Sequence, residues 1–256
     1  MADFLRTSGI SHSPFVNGSS PSPSCAAIDV VAIDGPSGAG KSTVAKRVAG
    51  QLGYQYLDTG AMYRAVTWHF LEAGCVPAEC SGLQDRGAAQ MRKVLDQTQL
   101  LLAAGRVLVN GLDVTSHLRT REVESQVSAV AALPFVRAAM RALQRQVAAA
   151  GALVAEGRDM CTAVFPNAAW KVFLDAKPLA RAERRVADFA RQGRTASLSV
   201  VLHEIEVRDR LDSTRDDAPL RQAQDAQFID TSLLSSDQVV ALVLALVRGK
   251  PRVMPS

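Results

Sequence analysis

A chain of 256 residues suits one ordinary domain with room for an inserted subdomain. Its apolar fraction of 48% and charged fraction of 21% supply a core and exclude wholesale disorder, and no apolar run is long enough to span a membrane. The net charge of +4 is mild but rests mostly on arginine, the side chain suited to bidentate phosphate and carboxylate contacts, although a simple preference for Arg over Lys accounts for it as well.

Residues 1–25 are rich in Ser, Pro and Gly, lack the apolar segment of a signal peptide and read as a disordered leader. The run "AIDVVAI" (27–33) is short, apolar and β-branched, as expected of a buried parallel strand. After the glycines that follow it, Val44, Val48 and Leu52 recur at four-residue spacing and Gly53 ends the pattern, which predicts a helix. "YQYL" (54–57) predicts a second strand, and 60–73 a helix ending at Gly74. Trp68, His69 and Phe70 read as packing residues of that helix. Between about 97 and 115, Gly105 and Gly111 separate short apolar runs, so a small antiparallel meander is expected. Helices are predicted over 119–132 and 134–150, with Pro134 at a helix start. Strands follow at "ALVAE" (152–156) and "WKVFLD" (170–175). Pro178 opens a helix, Ser197 can cap another, "QFID" (227–230) is a last strand and 236–248 a last helix. Residues 251–256 read as a flexible tail. The alternation predicts an α/β fold with a doubly wound parallel sheet flanked by helices.

The four cysteines, Cys25, Cys75, Cys80 and Cys161, form no CxxC pair and read as reduced thiols of a cytoplasmic protein. The four histidines, His12, His69, His117 and His203, show no metal-ligand spacing.

Gly35-Pro36-Ser37-Gly38-Ala39-Gly40-Lys41-Ser42 fits G-x-x-x-x-G-K-[ST] completely, between a predicted strand and a predicted helix. Such a loop turns backbone N–H groups inward around a triphosphate, and the helix N-terminus adds partial positive charge. Lys41 can reach the β and γ oxygens, and the Ser42 hydroxyl can ligate Mg²⁺ beside Thr43. No NKxD guanine-reading signature is present, and no apolar strand ends in the Asp-Glu pair of a motor ATPase. Arginines and aspartates spread downstream favour transfer to an acceptor over hydrolysis.

Beyond the loop, "LDTGAMYRA" (57–65), "SQVSAVAALPFVR" (125–137), "VAEGRDMCTAVFP" (154–166), "KVFLDA" (171–176) and "VRDRLDSTRDDAPL" (207–220) occur in that order. Together they resemble the bacterial cytidylate kinases, nucleoside monophosphate kinases that move the γ-phosphoryl of ATP to CMP or dCMP with Mg²⁺. The resemblance runs from about 27 to 248. It implies a CMP-binding insertion at about 84–118, a short lid at about 184–197, and a monomer binding neither nucleic acid nor membrane.

By that resemblance Arg64 is a ligand of the CMP phosphate, and Thr59 borders the acceptor site. Ser128 and Arg137 read the cytosine; Arg158 binds phosphate and Asp159 reads the base. In "RDRLDSTR", Asp212 holds the sugar hydroxyls while Arg208 and Arg215 face phosphate. Arg181, Arg184 and Arg185 lie around the lid, Arg184 as an ATP ligand. Lys41, Arg158 and Arg215 are then the catalytic set. The spacing of Arg208, Asp212 and Arg215 permits one shared helix face, where a solvated ion-pair row is the plain alternative.

The chain departs from the family pattern at Cys161, where Gly is usual, which places a thiol near the acceptor site. It also departs at Val207, where Glu is common, and at Asn167, where Asp is usual. Two other readings stand beside this one: a phosphate-loop kinase for another acceptor such as UMP, and a nucleotide-binding regulatory or nucleic-acid-binding module without catalysis.

Overall fold

The computed structural model describes residues 28–75, 84–103, 105–191 and 193–249. The expected leader and tail lie outside these residues. Two sheets are present among them. Five parallel strands run in the order β2 (Gln55–Asp58), β6 (Leu153–Gly157), β1 (Ile28–Asp34), β7 (Ala168–Asp175), β8 (Gln227–Asp230), and three antiparallel strands in the order β3 (Leu100–Ala103), β4 (Arg106–Val109), β5 (Leu112–Asp113).

β1 (Ile28–Asp34) occupies the centre of the large sheet. Val30, Val31, Ala32 and Ile33 are all fully buried, because neighbouring residues of a strand face opposite sides and helices cover both. On one side, Val31 and Ile33 meet Val44 and Val48 of α1 (Lys41–Leu52) and Val239, Val243 and Leu244 of α8 (Ser236–Gly249). On the other, Val30 and Ala32 meet Met62, Val66 and Phe70 of α2 (Thr59–Glu72), Val127 of α4 (Arg121–Ala132) and Met140 of α5 (Pro134–Ala149). This is the expected doubly wound arrangement.

The chain leaves β1 through α1 to reach β2 (Gln55–Asp58) at one edge, and later returns to place β6 (Leu153–Gly157) between them. β7 (Ala168–Asp175) and β8 (Gln227–Asp230) extend the other side. Ligands of open α/β sheets bind where the winding reverses, beyond the C-terminal strand ends. The register assembles one wall there. Asp34 of β1 is opposite Gly157 of β6, and Asp58 of β2 is opposite Glu156.

The expected meander is the small sheet of β3 (Leu100–Ala103), β4 (Arg106–Val109) and β5 (Leu112–Asp113). Asn110 and Gly111 both have positive φ, 50° and 83°, as a tight hairpin turn requires. Val107 and Val109 pack with Val114 and Leu118 on Ala61, Ala65 and Trp68, so the sheet leans on α2. Phe70 is fully buried, in keeping with a packing role. α3 (Gln84–Asp96) precedes the sheet and was not foreseen as a helix. Its pattern is interrupted by Gly87, and its buried residues Met91 and Leu95 find their partners only in the assembled core.

α6 (Pro178–Arg191) and α7 (Leu198–Thr214) pair through Ala182, Val201 and Ile205. Ser197 is the N-cap residue of α7, but its hydroxyl bonds Ser199 Oγ at 2.9 Å instead of a backbone N–H. Among the described residues no helix is long and apolar enough to cross a membrane.

Candidate active site

The phosphate loop closes tightly on the sheet. A Cβ on Gly35 would stand 1.9 Å from the Leu174 carbonyl oxygen, so only glycine lets the loop pass there. Gly40, the N-cap residue of α1, has φ +89°, which turns the backbone N–H groups before α1 toward one point. Lys41 is buried and its Nζ donates to the Pro36 carbonyl at 2.7 Å. Burial and the Arg158 charge push its pKa down, against the pull of Glu156. Gly35 and Pro36 form the base of the loop, while residues 37–43 line a cleft.

That cleft has a volume of about 630 Å³ and ten basic side chains on its walls against five carboxylates. Thr59, Arg64, Ser128, Arg137, Arg158, Asp159, Arg184, Arg208, Asp212 and Arg215 all line it together with the loop, so sites spread over some 180 residues converge. A row of solvated surface ion pairs is ruled out for the "RDRLDSTR" segment, because Asp212 is buried and Arg208 is half-buried. Asp212 pairs with Arg158 Nε at 2.8 Å instead of with Arg208 four residues away. Arg215 lies beyond the helix, at ψ 144°, and so shares no helix face with Arg208 and Asp212; its Nε donates to the Ala218 carbonyl at 2.8 Å.

At the expected base-reading position, Arg137 Nη2 meets Asp159 Oδ2 at 2.5 Å. Both side chains are almost fully buried, and Arg215 Nη2 stands 3.7 Å from the other Asp159 oxygen. Asp217 reinforces the corner, at 3.3 Å from Arg137 and bonded twice to Arg141 at 2.8 and 3.0 Å. Thr59 donates to the Glu156 carbonyl at 2.6 Å, which ties the start of α2 to the end of β6.

The arginines have more charge than their partners answer. Arg64 Nε, Arg208 Nε and Arg215 Nη2 are buried without a hydrogen-bond partner among the described residues. Burial, then the Arg158 charge, pushes the Arg208 pKa down to about 10. Burial also lowers that of Arg64. Cations held in this way favour an incoming anion, which restores both charge balance and hydrogen bonds.

Two expectations about this region need correction. Arg181 is not a lid residue: it is buried and donates to the carbonyls of Ala176 at 2.8 Å and Ser37 at 3.0 Å, with Asp209 2.6 Å away. It braces the phosphate loop from behind. Nor does Cys161 place a thiol beside the acceptor. It sits in a π-helical turn, Met160–Val164, and its Sγ points into the core toward the Ala32 carbonyl at 3.4 Å. Its φ is not positive, so the turn accepts a side chain there.

Asp34 holds that turn. Its two oxygens accept from the Met160 and Cys161 N–H groups at 2.8 and 2.7 Å, which aims the preceding Arg158 and Asp159 at the cleft. Burial and the Asp159 charge raise the Asp34 pKa to about 6, against these two amide bonds. Asp34→Asn would face one N–H with an NH₂ group, which can only donate. The expected loss is about 1–3 kcal/mol of stability at neutral pH, read by urea denaturation; an unchanged midpoint would show that the turn holds without this carboxylate.

Residues not foreseen also line the cleft: Asp58, Arg119, Glu156, Arg191 and Thr231. Glu156 accepts from Tyr56 Oη at 2.9 Å and shares the Ser42 hydroxyl; burial and the Asp58 charge raise its pKa. Its place at a strand end two residues before Arg158 was the signal for it. Thr231 accepts from Arg184 Nη1 at 3.1 Å and donates to the Ala39 carbonyl at 3.2 Å, a link no sequence pattern announces.

The family model described as cytidylate kinase matches residues 31–249. The chain is 49% identical to the bifunctional pantoate ligase/cytidylate kinase of Synechococcus sp. (strain RCC307), over 86% of this chain and 43% of that protein. It is 45% identical to the cytidylate kinase of Mycobacterium leprae (strain Br4923), over 86% of this chain and 96% of that one. With the cytidylate kinase of Carboxydothermus hydrogenoformans it shares 42% identity over 88% and 99% of the two chains. The chain thus spans less than half the length of the bifunctional relative and nearly all of the single-function ones.

Proposed function

Because the chain belongs to the cytidylate kinase family, we propose that it transfers the γ-phosphoryl group of ATP to CMP or dCMP, giving ADP and CDP or dCDP. The observation that carries this reading is that one cleft is lined together by the glycine-rich loop, an under-neutralised arginine cluster and the buried Arg137–Asp159 pair. Two phosphate-bearing ligands match that combination of a phosphate-type loop and spare arginine charge.

The donor triphosphate lies in the loop of residues 37–43, with Lys41 against its β and γ oxygens. Ser42, with Glu156 and Asp58 beside it, offers the hard oxygen donors that Mg²⁺ prefers, so the residues present fit that ion. Bound there, Mg²⁺ would offset the charge of the β- and γ-phosphates. Arg64, Arg158 and Arg215, with Arg208 beside them, take the acceptor phosphate, and Asp212 the sugar hydroxyls. One acceptor phosphate oxygen forms its bond to the γ-phosphorus as the bond to the ADP oxygen breaks. No general base is needed, because the attacking oxygen is already ionised. The protein supplies alignment and positive charge for the equatorial oxygens. The segment of about 184–197, the end of α6 and its link to α7, serves as the lid, and its closure excludes the water that would hydrolyse ATP.

The test is ADP release with CMP, dCMP, UMP, AMP and shikimate as acceptors. Release with CMP and dCMP well above the others is expected. A preference for UMP or shikimate would move the chain to another acceptor class, and ATP binding without turnover would favour a regulatory module.

A further inference from the structure

Glu124 belongs to none of the motifs that describe the cleft and is not on its wall. It projects from α4 into the space behind two arginines that are. Its Oε1 lies 3.4 Å from Arg64 Nε on α2, and its Oε2 is bonded to Arg185 Nη2 on α6. The carboxylate is only 17% exposed, and the two arginine side chains 12% and 22%. Among the described residues no other carboxylate forms an ion pair with either arginine.

The geometry of the two contacts differs. Arg64 meets Glu124 through Nε, the inner edge of its guanidinium, so its terminal nitrogens stay available to the cleft. Arg185 meets it through a terminal nitrogen, so α6 is tethered to α4. One carboxylate therefore spans the acceptor side and the lid helix.

We propose that Glu124 is a positioning residue for phosphoryl transfer: it orients Arg64 toward the acceptor phosphate and holds the lid helix α6 in register with it through Arg185. The proposal rests on the kinase reading above. Two effects of the carboxylate oppose each other. Its negative charge, close behind a phosphate site, weakens binding of the acceptor phosphate. Its two contacts fix the arginines in the geometry that transfer needs. Charge acts on the bound ground state, alignment on the transition state, so removing the group should move KM and kcat in the same direction.

Glu124→Gln keeps the shape and deletes the charge. We expect KM for CMP to fall about three- to tenfold and kcat to fall about tenfold or more. Binding of cytidine, which has no phosphate, should stay within about twofold of wild type. Glu124→Asp keeps the charge but is one methylene too short to reach both arginines. It should leave KM for CMP near wild type while kcat falls, and it carries the test if the glutamine variant does not fold. Turnover of CMP by wild type tests the kinase reading; only the variant-to-wild-type ratios test Glu124. Unchanged kcat in both variants would overturn the proposal. So would a rise in KM for CMP matched by equal weakening of cytidine, which marks general structural damage.

Discussion

Lys41→Ala should lower kcat by about a hundred- to a thousandfold, while the melting temperature stays within a few degrees of wild type. Lys41 is buried and bonded to the Pro36 carbonyl, so its amine is held inside the loop. Burial and Arg158 disfavour a charge on it in the folded protein. Removing it therefore relieves an unfavourable burial in the folded protein, which protects stability. In the proposed transfer the Lys41 charge is most useful when negative charge shifts toward the β–γ bridge, so its loss falls on kcat. The measurement is steady-state ADP release at saturating ATP and CMP, alongside a thermal melt. Near-wild-type turnover would remove the phosphate loop from the mechanism.

Asp159→Asn should lower kcat/KM for CMP by about a hundredfold and narrow the ratio of CMP to UMP. Cytosine offers an N4 amino donor beside the acceptors N3 and O2, whereas uracil offers an O4 acceptor and an N3–H donor. In the proposed reading Asp159 supplies the acceptor for N4, and Arg137 with Ser128 the donors. The buried Arg137–Asp159 ion pair raises the stakes, since losing one partner leaves the other's buried charge to a more distant group. An asparagine can turn its amide toward O4 of uracil, which a carboxylate repels. Arg137 retains Asp217 at 3.3 Å, and this second carboxylate keeps the variant folded. kcat/KM for CMP and UMP in wild type and variant decides the matter. An unchanged ratio would leave Asp159 as a partner of Arg137 and Arg215 with no part in reading the base.

The parallel sheet and the phosphate loop were legible because their causes are local. The apolar run of β1 needs cover on both faces, and the glycines around Lys41 allow a backbone that other residues resist. The hairpin at Asn110–Gly111 is legible for the same reason. α3 was not, since its charged and glycine-broken pattern has meaning only against the core that Met91 and Leu95 enter. The list of cleft arginines was also readable, but as positions with roles carried by resemblance, not as a geometry.

Apart from α3, the order of strands and helices, the glycine-rich loop and the identity of the charged groups are thus properties of the sequence by itself. Which charge answers which is decided only by the tertiary structure. Asp212 takes Arg158 from 54 residues away and leaves Arg208, its neighbour on the helix, without it. Arg181 turns beneath the loop, Cys161 turns into the core, and Glu124 joins two arginines that lie 121 residues apart in the chain. In water a charged pair four residues apart on a helix gains a few tenths of a kcal/mol, about as much as many alternatives. Once buried, each charge must find the partner that packing brings closest, because an unpaired one costs several kcal/mol. Packing sets those distances by the register of β2, β6 and β1 and by the way α4, α6 and α7 meet above them.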